Sequence, residues 1–206
     1  MSRSDQIIQA ATELFALNEY SGTPLQAVAD RVQITKQSLL YYFSSKELLR
    51  QAVVKSIVDH WQKSLPKALL STRSGEKMLD RTLDVLIEFF TQDGHRANFI
   101  LREALDRPGE LGTTLREHLW PLLSFVTDYV EAGKKKGEVR RDLDAEAFVV
   151  RTASAAINIV AMAPVFRVVI GGKEEAKNFF DRQIEEFSMA TKAALFNRQA
   201  TPSSNP

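Results

Sequence analysis

Hydrogen-bonding side chains crowd into one short stretch of this chain. Residues 34–43 read ITKQSLLYYF, and Lys36, Gln37, Ser38, Tyr41 and Tyr42 place polar groups over two helical turns. The apolar Ile34, Leu39 and Phe43 share one side at i, i+5 and i+9, so they can anchor a helix whose polar side faces out. Short polar side chains at the start of such a helix can reach base edges in a major groove. Tyrosine hydroxyls and backbone N–H groups at helix starts suit phosphates. Lys46 stands in the first turn of the following helix, against that helix's dipole, and a neighbouring phosphate would account for it. Each feature alone has a plainer use: a tyrosine pair packs, and a lone lysine is solvated.

Other chemistries find no support. The chain has no cysteine, which removes disulfides, thiolate metal sites and cysteine nucleophiles, and fits a reducing, cytoplasmic setting. His60, His95 and His118 lie far apart, and none has a second histidine or a carboxylate at i+3 or i+4. No nucleophile–base pair and no phosphate loop is readable, so neither an enzyme nor a bound cofactor is expected. The 206 residues suffice for a large domain or two small ones, and the net charge of +1 argues against disorder. That neutral balance extends to residues 1–50, which hold five basic and five acidic side chains. Bulk charge therefore supplies no evidence for nucleic acid. The longest apolar stretch, residues 152–170, is interrupted by Asn158, Pro164 and Arg167 and reads as a helix buried in an interior or an interface, not in a membrane.

The elements that must position these side chains are helical throughout. Ile7, Ile8, Ala11, Leu14 and Phe15 mark a first helix. Leu25, Val28, Ala29 and Val32 mark a second, with Thr23 expected as N-cap and Pro24 at the first helical position. A third spans about residues 36–42 with Thr35 as its cap. Ser44 and Glu47 have capping-box spacing and open a fourth that runs toward Pro66. Longer helices follow over residues 78–90, 95–105, 115–132 (kinked at Pro121), 144–162 and 174–196. Gly133 to Gly137 should end the third of these, with Asp142 or Asp144 capping the next. The expectation is an all-α chain of about nine helices. A helix-turn-helix domain occupies residues 1–48, a larger helical bundle residues 49–199, and a disordered tail residues 200–206.

The first 50 residues resemble the N-terminal domain of TetR-family (tetracycline-repressor-type) transcriptional regulators. The matching features are Leu14-Phe15, Thr23 ahead of a short helix with Val28-Ala29, Ile34-Thr35-Lys36, Ser38-Leu39, an aromatic pair ending in Phe43, and Ser45-Lys46-Glu47-Leu48. About 45 consecutive residues are covered. The resemblance implies double-stranded operator DNA as a partner, contacted by Thr23, Thr35, Lys36, Gln37, Ser38, Tyr41, Tyr42 and Lys46. The chain departs from the family pattern at Glu19 and Gln33, where glycine is usual, and at Leu40, where tyrosine is usual. Asn18 is expected to take the left-handed role near the first, and Gln33 in a left-handed turn would cost roughly 1 kcal/mol. Leu40 lacks the hydroxyl and could touch a thymine methyl instead.

For the rest of the chain the resemblance implies a ligand-binding and dimerisation domain. The two last long helices would pair with a second copy through Ala153, Ala156, Val160, Phe180, Ile184 and Phe187. A small hydrophobic effector would sit among Phe89, Phe99, Arg102, His118, Trp120, Phe125 and Tyr129. The reading is a homodimeric repressor on a palindromic operator, released by that effector. The competing reading is an all-helical dimeric interaction or ligand-binding protein that has lost DNA binding.

Overall fold

The computed structural model describes residues 1–70 and 75–196. Among the described residues ten helices succeed one another: α1 (Arg3–Asn18), α2 (Leu25–Arg31), α3 (Lys36–Tyr42), α4 (Lys46–Leu69), α5 (Gly75–Gln92), α6 (His95–Asp106), α7 (Pro108–His118), α8 (Trp120–Lys136), α9 (Ala145–Ile170) and α10 (Lys173–Leu195). Among the described residues the only extended pairing is an isolated bridge between Val139 and Phe196.

Local chemistry accounts for the helix ends. Ser2 and Asp5 form a reciprocal capping box at α1. Thr35 and Asp144 cap α3 and α9, accepting from the N–H groups of Ser38 and Ala147. Helix α8 closes with a Schellman motif: Gly137 takes φ 78°, its N–H reaches the Lys134 carbonyl, and the Glu138 N–H reaches the Gly133 carbonyl.

Four expected details differ, the first being that α9 runs on through Pro164 to Ile170, past the expected end at residue 162. The cap of α4 is Ser45, whose hydroxyl accepts from the Leu48 N–H, and Glu47 turns its carboxylate to Arg50 instead of backward. Thr23 does not cap α2, whose N-cap is Pro24. The single kinked helix expected over residues 115–132 is two helices meeting at Leu119. Pro108 starts the first of them and Pro121 lies in the first turn of the second, positions where a missing N–H costs nothing.

The chain divides into two compact units, one of residues 1–66 with 88–121 and the other of residues 67–87 with residues from 122 onward. The expected domain boundary at residue 48 therefore falls inside a helix, and the expected tail at 200–206 lies outside the described residues. In the first unit Ile7, Ala11 and Phe15 of α1 join Val28, Ala29 and Leu39, all buried. Phe15 stacks on Phe99 of α6 at 6.3 Å between ring centroids, so the small N-terminal helices share one core with α6. In the second unit Leu79, Leu83, Val130, Val139, Phe148 and Leu195 form a continuous apolar cluster drawn from α5, α8, α9, α10 and the turn after α8.

Candidate DNA-recognition surface

Helix α3 is held by its inward side. Leu39 is fully buried, and Ile34 and Phe43 are partly covered. The turn joining α2 to α3 repeats the motif at the end of α8: the Gln33 N–H reaches the Asp30 carbonyl at 3.1 Å and the Ile34 N–H reaches that of Ala29 at 3.0 Å. Gln33 sits at the left-handed position with φ 55°. Glycine adopts that conformation freely and glutamine at a cost of about 1–2 kcal/mol, so the turn keeps its normal geometry at some expense in stability. Arg31 pairs with Glu13 at 2.6 Å and ties α2 to α1.

The outward side of α3 presents Lys36, Gln37 and Ser38 to solvent at its first turn, followed by Tyr41 and Tyr42. Tyr41 is 88% exposed and meets Tyr42 edge to face, 5.7 Å between centroids. A nearly bare tyrosine ring gains nothing from the chain's own core, so packing does not explain it. The hydroxyls of Thr35 and Ser38 lie 2.9 Å apart and organise the start of the helix. These residues form one contiguous polar face that can enter a groove and bond to base edges.

Two of the expected contacts are not on this face. Thr23 is 1% exposed, and its hydroxyl donates to the carbonyls of Leu14 and Glu19, closing the end of α1. Lys46 folds back on the α1–α2 turn. Its ammonium donates to the Tyr20 carbonyl, comes within 3.5 Å of the Ser21 carbonyl, and lies 4.2 Å from the centre of the Tyr20 ring. Burial, then the nearby charge of Arg107, holds its pKa below the usual lysine range. Backbone carbonyls therefore account for this first-turn lysine without a phosphate.

The α1–α2 turn is itself strained. Glu19, not Asn18, takes the unusual backbone conformation, at φ 63° and ψ 164°. Gly22 is required nearby because a Cβ there would lie 2.4 Å from the Asn18 carbonyl oxygen.

Helices α4, α6 and α7 share a charge network that the periodicity did not reveal. Arg50 of α4 is 3% exposed and bonds to Glu47, to Glu103 of α6 and to Glu110 of α7. Glu103 is 4% exposed. Arg107 meets Glu47 at 3.5 Å and also lies over the Tyr20 ring, at 4.1 Å from its centre. Arg102 donates to the Ala16 carbonyl at 2.7 Å and so caps α1 from α6. Burial draws the Arg50 pKa down, but its carboxylate partners outweigh this and hold it above the ordinary value. For Glu103 burial dominates and raises the pKa against the attraction of Arg50. The Arg50 bond holds the Glu47 carboxyl below its usual range. The available signal was charge at apolar register: Arg50 beside Leu49 with Val53 and Val54 following, and Glu103 three residues after Ile100.

The expected effector residues are divided between the two units, Phe89, Phe99, Arg102, His118 and Trp120 in the first and Phe125 and Tyr129 in the second. Phe89 is buried against His60, Trp61 and Phe90, and Phe99 against Phe15. Arg102 caps α1, and the His118 carbonyl accepts from Gln62. Trp120 and Phe125 are exposed. Aromatic rings fill cores as readily as they line sites. Tyr129 alone of the seven lines a cavity of about 60 Å³ in the second unit, walled by Met78, Leu79, Val126, Val130 and Phe148 among others.

The expected dimer residues also divide. Ala156 is 0% exposed and Val160 is buried, both covered by their own chain, so neither can face a second copy. Ala153, Phe180, Ile184 and Phe187 are partly covered, and Phe187 packs on the chain's own apolar cluster. The exposed apolar stripe of α9 is Met162, Val165 and Val169, at i, i+3 and i+7, with Val168 beside it. By length and composition this helix could cross a membrane, and only 11% of its apolar stretch is buried within the chain.

Known proteins resemble the chain in both sequence and fold. The profile of bacterial regulatory proteins of the tetR family matches residues 7–53. The HTH-type transcriptional regulator RutR of Escherichia coli (strain K12) is 38% identical over 60 residues, 29% of this chain and 28% of RutR's own length. The probable HTH-type transcriptional regulator YttP of Bacillus subtilis (strain 168) is 31% identical over 143 residues, 67% of this chain and 68% of YttP. In fold, the ketosteroid transcriptional regulator KstR2 of Mycobacterium tuberculosis superposes with a TM-score of 0.74 over 96% of each chain at 17% identity. With a helix-turn-helix whose recognition helix turns its polar face outward, and a relative matched over two thirds of both lengths, this chain belongs to the tetR family of bacterial regulatory proteins.

Proposed function

We propose that the protein is a ligand-controlled repressor that binds palindromic double-stranded DNA as a homodimer. The observation that carries this is the outward face of α3, where Lys36, Gln37, Ser38, Tyr41 and Tyr42 stand clear of the protein on a helix anchored by Leu39. In helix-turn-helix proteins this face enters the major groove. A second copy covering Met162, Val165, Val168 and Val169 supplies the burial that α9 lacks in one chain. Two-fold pairing sets two recognition helices on one side of the duplex, which calls for a two-fold operator.

The effector reading rests on the cavity beside Tyr129. At about 60 Å³ it is small against the roughly 300–1,000 Å³ of drug-sized sites, so occupancy requires it to widen. Its apolar walls favour a hydrophobic molecule over a sugar, nucleotide or metal ion. A ligand that prefers the widened form shifts the population away from the DNA-competent one, and DNA weakens that ligand by the same factor.

In vitro selection from a random duplex pool should enrich an inverted repeat, bound by a species of twice 23.2 kDa in light scattering. Val165→Asp should yield monomers with weakened binding. No enriched sequence, together with a stable dimer, would favour an interaction protein without DNA binding.

A further inference from the structure

We infer that Leu40 reads a base, and that each half-site carries a thymine whose C5-methyl group this side chain covers. This rests on the DNA-binding reading above. An open groove separates α2 from α3, walled by Gln26 and Asp30 on one side and Lys36, Gln37, Ser38 and Leu40 on the other. The Gln26 amide donates to the Asp30 carboxylate at 2.6 Å, so these two side chains hold each other. Leu39 alone takes the fully buried anchoring position of α3. Leu40 follows it by about 100° around the helix and is only partly covered, at the groove wall.

Apart from Ile34, the groove offers Leu40 an ammonium, amides, hydroxyls and a carboxylate, so its uncovered apolar surface stays in water unless a partner removes it. On the major-groove edge of a base pair the group that suits it is the thymine methyl, since the other exposed groups are donors and acceptors. Asp30 in the opposite wall repels phosphate, so the groove favours a base edge over the backbone at this point. Removing one buried methyl corresponds to about fourfold in affinity.

The test uses the full chain and the sequence enriched by selection. Each thymine of that duplex is replaced singly by uracil, which differs only in lacking the methyl group. The expected result is one thymine per half-site at which uracil weakens wild-type binding about fourfold. Leu40→Ala should abolish that penalty, and Leu40→Met should keep it. Uracil tolerated at every position, or a penalty of equal size in Leu40→Ala, overturns the inference while leaving DNA binding intact. Failure of the wild-type protein to enrich any sequence overturns the DNA-binding reading, and the contact with it.

Discussion

Replacing Glu19 by glycine should make this protein more stable, although it deletes an ion pair. Glu19 sits at φ 63° and ψ 164°, a region populated almost only by glycine, where another residue bears about 1–3 kcal/mol of strain. Glycine relieves this, but it gives the unfolded chain more freedom, at about 0.4–1 kcal/mol. The lost Glu19–Arg102 pair, 3.4 Å apart with side chains 61% and 37% exposed, is worth about 0–1 kcal/mol. The carbonyl of residue 19 still accepts from Thr23, and Arg102 still reaches the Ala16 carbonyl, because both bonds use backbone oxygens. The balance is a gain of about 1 kcal/mol, or a Tm rise of about 2–4 °C for a chain of this size. Urea denaturation of Glu19→Gly and Glu19→Ala gives the sharper comparison. Both lose the carboxylate, and only glycine relieves the backbone, so glycine should exceed alanine by about 1 kcal/mol. At an unstrained position alanine would be the more stable by about 0.4–1 kcal/mol. An alanine variant equal to or more stable than the glycine variant would refute the strain.

The remaining expectations concern charge. Lys36→Gln should flatten the salt dependence of DNA binding by about 0.9 in log–log slope per subunit, whereas Lys46→Gln should leave the slope alone, because that ammonium is engaged by Tyr20; equal slope changes in the two variants would return Lys46 to the DNA face. Arg50→Ala should destabilise the fold by about 3–5 kcal/mol by leaving Glu103 buried and unpaired, and adding Glu103→Leu should recover much of that loss in chemical denaturation. Since the Arg50 bond lowers the Glu47 pKa, the unfolded chain protonates this carboxyl first as the pH falls. Its stabilisation is thus complete above the ordinary glutamate value of about 4.3 and is lost as the pH drops through the lowered folded value. Glu47→Gln should therefore show a shallower loss of stability on acidification, read from urea midpoints at about pH 6 and about pH 3.

The recognition helix was legible in the residues themselves because its determinants are local. Thr35, the spacing of Ile34, Leu39 and Phe43, and the polar run between them lie within ten residues, and α3 has the expected bounds Lys36–Tyr42. The start of α9 was legible only as Asp142 or Asp144, and the folded chain uses Asp144. Where the same chemistry had two uses, only packing chose between them. Lys46 could serve a phosphate or the carbonyls of Tyr20 and Ser21, Thr23 could cap α2 or close α1, and both choices followed from how the α1–α2 turn folds over them. Periodicity shows which residues share a face of one helix and cannot show what another helix brings to it. Arg50 and Glu103 stand 53 positions apart, and their meeting depends on how α4 and α6 are brought together in the first unit. The same limit governs Ala156 and Val160, which their own chain covers while Met162, Val165 and Val169 stay bare. Burial is a property of the packed chain: composition counts the apolar side chains, and the tertiary fold decides which of them are left for a partner.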